Sequence, residues 1–158
     1  MPRRNLRQVK ETSKQGGTFD FVADQLVLRL DTTLPAEVQA IAPVVDRIVT
    51  LVRETGCVAG KEFEVAVALQ EALANAVIHG ANEDATKHVQ VSASCDRARG
   101  ILIVVRDPGS GFDINTVPNP IRGERIFASH GRGIFLINRL MDEVRFHRGG
   151  TEIHMLKR

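Results

Sequence analysis

The chain has 158 residues and a hydrophobic fraction of 43%, which suits one domain that folds around its own core. It holds no Trp or Tyr, so a platform for stacking nucleic-acid bases is not expected, and no apolar run reaches the length of a membrane span. The formal net charge is +2, but residues 1–18 alone carry +4, so the rest of the chain is slightly acidic. We therefore predict a basic, flexible N-terminal arm at 1–18 and a single domain at 19–158.

The two cysteines, Cys57 and Cys95, lack the CxxC spacing that is typical of zinc sites and redox motifs. No apolar run follows the basic N-terminal residues, so the sequence shows no signal peptide. Together these features predict a cytoplasmic protein whose cysteines form neither a disulfide framework nor a metal site.

The first half of the chain predicts one strand and two helices. Leucines alternate with polar residues within 24–34, as they do in a half-buried strand. A helix is then expected to begin near Thr33, which can cap it, and to end at Gly56. A second helix is predicted from about residue 61 to residue 79. Its apolar stripe would consist of Val65, Leu69, Ala72, Leu73 and Ala76.

The second half predicts two hairpins separated by a loop and a helix. Residues 88–95 alternate and residues 101–107 are almost entirely apolar, which indicates a hairpin. Residues 108–133 hold several Gly and Pro and predict mostly loop, whereas 133–141 have helical periodicity. The remaining residues predict a final hairpin. The fold class is therefore α+β, a two-layer sandwich in which helices cover one face of a mostly antiparallel, mixed sheet.

The second predicted helix contains the stretch EALANAVIHG, in which three polar residues recur every four positions. At about 100° per residue, Glu71, Asn75 and His79 form a slanted row away from the apolar stripe. The amide oxygen of Asn75 is a hard ligand that could hold Mg²⁺, and Glu71, one turn away, could accept a proton from a nucleophile. A solvated polar helix face is the alternative.

Two glycine-rich segments, DPGSGF and SHGRGIF, follow later in the chain. The first begins with Asp107 at the end of a buried strand, where a carboxylate can accept hydrogen bonds from a ligand amine. Gly109 and Gly111 would let the backbone approach a flat ligand closely. Gly131 and Gly133 precede a predicted helix, whose N-terminal N–H groups attract phosphate. Taken singly, the segments could be an ordinary turn and an ordinary helix start.

In combination and in this order, the motifs resemble those of the GHKL ATPase superfamily, which includes type II topoisomerases, histidine kinases and mismatch-repair ATPases. The helical stretch resembles its N box, DPGSGF its first glycine box and GRG its second, while Thr151 matches the Thr of the last conserved segment. The resemblance covers about residues 24–156 and implies the Bergerat ATP-binding fold. The NAVIHG form and the short length are similar to those of the bacterial anti-sigma-factor serine/threonine kinases.

This resemblance implies a site for ATP and Mg²⁺. Asp107 would bind the adenine amino group with Thr151 nearby, and Asn75 would ligate Mg²⁺. Glu71 would act as the catalytic base on a partner's Ser or Thr hydroxyl. Residues 113–130 would form a lid over ATP. The other nucleotide contacts would come from His79, Gly109, Gly111, Phe112, Gly131, Arg132 and Gly133.

The function implied is that of a homodimeric protein serine/threonine kinase that acts as an anti-sigma factor. It would bind a sigma factor and phosphorylate an anti-anti-sigma antagonist of the STAS type, without direct contact to nucleic acid or membrane. Two alternatives stay open: an ATP-binding regulatory module without phosphoryl transfer, and an interaction protein that binds no nucleotide. The pairing of Glu71 and Asn75 with both glycine segments favours the kinase.

Overall fold

The structure is a computed structural model, and it describes residues 19, 21, 25–110 and 129–158. The N-terminal arm lies outside the described residues, as do Gly111, Phe112 and the predicted lid up to residue 128. In chain order the elements are β1 (Leu28–Pro35), α1 (Ile41–Thr55), α2 (Glu62–Asn75), β2 (His88–Asp96), β3 (Gly100–Arg106), α3 (Ser129–Leu140), β4 (Glu143–His147) and β5 (Glu152–Lys157).

Within the described residues, five strands form one sheet in the order β1-β2-β3-β5-β4, and each of their four pairings is antiparallel. Side chains alternate between the two faces of a strand, so one face of this sheet carries the apolar residues of the core. Helices α1, α2 and α3 cover that face, with α2 in contact with both α1 and α3. The predicted α+β sandwich is therefore confirmed.

The core lies between α2 and the central strands. The apolar stripe predicted for the second helix is confirmed, since Val65, Leu69, Ala72, Leu73 and Ala76 are all buried. They pack in one cluster with residues of the central strands such as Val91, Ile103 and Met155. Within the described part of the chain, none of the helices combines the length and apolar character that a membrane crossing requires.

The first helix begins later than its start signals indicate. Thr33 is not a cap, because it pairs with β2 inside a strand that continues to Pro35. A 3₁₀ turn, Val38–Ala40, then leads into α1. Strand pairing is a tertiary interaction, and here it overrides the local preference of these residues for a helix start. Gly56 ends α1 as predicted, with a left-handed φ of 67°.

The second helix changes its geometry at the predicted site. Regular α-helix ends at Asn75, and the chain continues as a π-helical turn, Ala76–Gly80, in which the Ala81 N–H donates to the Ala76 carbonyl over 2.9 Å. Such turns are rare in proteins, and those that do occur are often found at functional sites. His79 therefore leaves the regular row that α-helical geometry predicts for Glu71 and Asn75.

The prediction that the two cysteines form no disulfide is wrong in this structure. The structure joins Cys57 and Cys95 in a disulfide, with their Cα atoms 6.2 Å apart, a normal separation for this bond. Cys57 lies in the turn between α1 and α2, whereas Cys95 is buried in β2. The two positions are 38 residues apart, so spacing motifs could not reveal the pairing.

Reduction of this disulfide should lower the free energy of unfolding by about 3–4 kcal/mol, because the bond restricts the unfolded chain across a separation of 38 residues. Urea denaturation of one sample, with and without dithiothreitol, measures the difference. With and without dithiothreitol, Cys57→Ser should unfold at the urea midpoint of the reduced wild type. Identical wild-type midpoints in the two buffers would contradict the prediction.

Candidate functional site

A cavity of about 460 Å³ lies between α2, α3 and the ends of β3 and β5, a volume within the range of small-molecule sites. One part of its wall is apolar and includes Ala72, Ala76, Val105, Ile134, Ile137 and Ile153. The other part is polar and includes Asn75, His79, Asp107, Ser110 and Thr151. The cavity therefore offers an apolar slot for a flat group beside polar groups that can orient it.

The cavity brings together five of the predicted site residues, Asn75, His79, Asp107, Gly109 and Thr151. Glu71, Gly131, Arg132 and Gly133 are described but do not form part of its wall. Two further predicted residues of the first glycine segment, Gly111 and Phe112, lie beyond the described residues.

Asp107 occupies the position expected of it, directly after β3 at the rim of the sheet. Its backbone N–H donates to the Thr151 carbonyl over 2.8 Å, which joins the ends of β3 and β5. Its Oδ1 accepts a hydrogen bond from the Gly109 N–H at 2.7 Å. Burial raises the pKa of Asp107, and the hydrogen bond from Gly109 offsets only part of this effect. The result is a half-buried carboxylate that can accept a ligand's N–H group.

Two glycines enclose this carboxylate. A Cβ atom at Gly80 would collide with the Asp107 side chain, and one at Gly109 would collide with the Gly80 carbonyl oxygen. The π-helical turn therefore packs directly against the first glycine segment. No role for Gly80 is predicted from the sequence, although Gly80 ends the NAVIHG stretch and is the last residue of the π-helical turn.

Gly80→Ala should therefore displace Asp107 and weaken ligand binding at the cavity by about tenfold or more, since small misplacements at a binding site are costly. Gly56→Ala is the matched control, because its Cβ meets no atom within 4 Å and only the left-handed φ is strained. That control should cost about 1 kcal/mol of stability and leave binding unchanged. Nucleotide titration calorimetry of both variants measures the difference, and equal affinities would refute the role of Gly80.

Glu71 and Asn75 lie against α3 and are partly covered by it. A Cβ atom at Gly133 would lie 3.0 Å from Glu71 Oε2 and 3.1 Å from Asn75 Nδ2, so α3 passes directly over both side chains. Both are only partly exposed, whereas His79 is exposed. Glu71 and Asn75 thus pack against α3, whereas His79 is exposed to solvent, and Gly133 permits the close approach of the two helices.

The second glycine segment differs from its prediction. The last helix was expected to start at residue 133, but α3 begins at Ser129 and includes both Gly131 and Gly133. The N–H of Gly133 therefore belongs to the helix interior and is not one of the open N-terminal donors. Gly131 is buried within the first turn, and Arg132 is exposed. Propensity alone misplaces this start because two glycines lower the expected helicity.

Two cavity residues carried no sequence signal. Asn82 and Lys87 lie in the loop between the π-helical turn and β2, and both line the cavity. Asn82 has a left-handed φ of 53°, which is uncommon outside glycine. Lys87 adds a positive charge to the wall, which would suit an anionic part of a ligand. Neither residue belongs to a motif, so only the fold identifies them.

These residues fit a purine nucleotide with a bound divalent cation. Asp107 can accept a hydrogen bond from an exocyclic amine, and the apolar part of the cavity wall can pack against a flat ring. Asn75 could supply one oxygen ligand to Mg²⁺, which in nucleotide sites keeps few protein ligands and takes the rest from phosphates and water. Fold and site together define an ATP-binding domain of the GHKL type.

The histidine kinase-like ATPase domain family matches residues 34–157, which is most of the chain. The chain therefore belongs to this family, and the resemblance to GHKL ATPases is confirmed. A comparison with curated proteins found no match.

Proposed function

We propose that the chain is an anti-sigma factor that binds a sigma factor and uses ATP to phosphorylate a Ser or Thr of an anti-anti-sigma antagonist of the STAS type. The observation that carries this proposal is the position of Glu71, which lies one turn from Asn75 and, like Asn75, beside Gly133 of α3. A proton acceptor beside a metal ligand suits phosphoryl transfer to a hydroxyl group. The family supports the use of ATP, and the NAVIHG segment supports the anti-sigma group.

Each residue has one role in this proposal. Asp107 accepts a hydrogen bond from the adenine amino group, and Thr151 lies beside it. Asn75 would hold Mg²⁺, which would offset the negative charge of the phosphates, and ATP is the substrate that supplies the γ-phosphoryl group. Glu71 takes the proton of the partner's hydroxyl as the hydroxyl oxygen bonds to phosphorus and ADP leaves. His79 and Lys87 lie along the same wall, where they can contact the phosphates.

Phosphoryl transfer tests the proposal directly. The chain is incubated with ATP, Mg²⁺ and each small antagonist protein encoded beside it, and phosphoserine and phosphothreonine are measured by mass spectrometry. We expect one modified hydroxyl on one antagonist. Transfer to none of these proteins, while ATP binding persists, would overturn the kinase assignment.

A second candidate is a regulatory module that binds ATP and controls a partner without phosphoryl transfer. It is favoured by one observation: Glu71 does not form part of the wall of the described cavity, whereas Asn75 does. In this case an exchange of ATP for ADP should alter partner binding while no antagonist becomes phosphorylated.

We further propose a homodimer in the cytoplasm, where sigma factors act. Sedimentation velocity at micromolar concentration tests the dimer, and a monomer would contradict it. In a reducing cytoplasm Cys57 and Cys95 would be held largely as thiols.

A further inference from the structure

A buried carboxylate lies on the face of the sheet opposite the helices. Glu152 is the first residue of β5, and its side chain is only 4% exposed. Its Oε2 accepts a hydrogen bond from Arg106 Nε at 2.6 Å and lies 3.2 Å from Arg148 Nε. Its Oε1 lies 2.6 Å from His154 Nε2. One carboxylate thus gathers three basic side chains, and we call this group the Glu152 cluster.

The Glu152 cluster lies on the opposite side of the sheet from the part of the cavity that is assigned to adenine. Arg106 precedes Asp107 in the chain, and Glu152 follows Thr151. Successive side chains point to opposite faces of a strand. Asp107 and Thr151 accordingly line the cavity, whereas Arg106 and Glu152 line a groove on the other face.

The cluster also holds the turn that presents Thr151. Arg148 has a left-handed φ of 52°, a conformation that costs about 1 kcal/mol or more outside glycine. Its carbonyl accepts a hydrogen bond from Thr151 Oγ1 at 2.9 Å, and its guanidinium is paired with Glu152. Glu152 is therefore linked to Asp107 through Arg106 and to Thr151 through Arg148.

Stability alone does not account for this arrangement. Burial by itself would raise the pKa of Glu152, but the hydrogen bonds with His154 and Arg106 outweigh it and lower the pKa, so the group is charged at neutral pH. A buried ion cluster often contributes little net stability, because desolvation of the charges offsets their attraction. It does fix geometry, since several bonds converge on one group.

We propose that Glu152 is a positioning residue for nucleotide selection: its carboxylate fixes the ends of β3 and β5 and so aims Asp107 and Thr151 at the amino group of adenine. This inference rests on the proposed ATP site. It predicts that loss of the carboxylate affects recognition of the amino group more than binding of the rest of the nucleotide.

The test compares ATP with inosine triphosphate, which has a carbonyl oxygen in place of the amino group. Glu152→Gln keeps the shape of the side chain but removes its charge and one acceptor. Titration calorimetry with Mg²⁺ should show ATP affinity reduced about tenfold, as expected for one weakened hydrogen bond to a charged group, with inosine triphosphate affinity changed less than about twofold. The preference of the wild type for ATP should therefore largely disappear.

Glu143→Gln is the matched control. Glu143 also pairs with two arginines, Arg145 at 3.0 Å and Arg158 at 2.7 Å, but it begins β4 at the other end of the sheet face. This variant should keep the wild-type preference for ATP over inosine triphosphate. If Glu152→Gln does not fold, Arg106→Gln removes the link to β3 and should give the same loss of preference.

The outcomes separate the two proposals. A wild type that binds neither nucleotide would overturn the ATP site itself. A wild type that prefers ATP, with the preference kept in Glu152→Gln, would overturn only the role of Glu152. An equal loss of both nucleotides would show a general structural effect and would also overturn it.

Discussion

Asp107→Asn should weaken ATP binding by about 10- to 100-fold, which corresponds to the loss of a hydrogen bond to a charged group. Asn has the same shape, but its amide presents an N–H₂ group where the carboxylate has an acceptor, and adenine's amino group is itself a donor. The fold should not be weakened. Burial raises the pKa of Asp107, so the ionised carboxylate is disfavoured in the folded state, and a neutral side chain removes that cost.

Titration calorimetry and thermal denaturation of the same preparation separate the two effects. Asp31→Asn is a suitable control, because Asp31 is exposed on β1, pairs with Arg29 at 3.3 Å and lies on the sheet face away from the cavity. It should bind ATP like the wild type. If Asp107→Asn also kept the wild-type affinity for ATP, the Asp107 carboxylate would not be the group that recognises adenine.

Glu71→Gln should reduce phosphoryl transfer by about 10²- to 10⁴-fold, the contribution of a general base, and should change ATP affinity by less than about threefold. Gln preserves the packing against Gly133 but cannot take the hydroxyl proton. Transfer is measured as phosphoserine or phosphothreonine formed on the antagonist per unit time at saturating ATP.

Glu62→Gln, in the first turn of the same helix, supplies the control and should transfer at the wild-type rate. Undiminished transfer in Glu71→Gln would remove Glu71 from the mechanism. If Glu71→Gln lost ATP binding and transfer together, its role would be structural, through the contact between α2 and α3.

The sequence predicts the layers of this fold well because its strongest signals are periodic. The apolar stripe of α2 and the alternation in β2 reflect burial on one side, which the sandwich then realises. The predicted ends of helices and strands are wrong where tertiary contacts determine them. Thr33 has the chemistry of a cap but becomes part of β1 because β2 offers a partner.

The site residues likewise differ in whether a local pattern or a tertiary contact determines their role. Asp107 could be placed from sequence because a carboxylate at a strand end followed by glycines is a local pattern. Gly80 and Lys87 could not, since their roles depend on a turn and a loop that meet the cavity only in three dimensions. The role of Glu152 likewise depends on strand pairing that brings Arg106 and Glu152 into register.

Binding of ATP in this cavity underlies every role given above, and it can be measured by calorimetric titration of the wild-type chain with ATP in the presence of Mg²⁺. We expect saturable binding of one ATP per chain, weakened when EDTA removes the metal that Asn75 would hold. The absence of saturable heat up to millimolar ATP, from a folded sample, would contradict it.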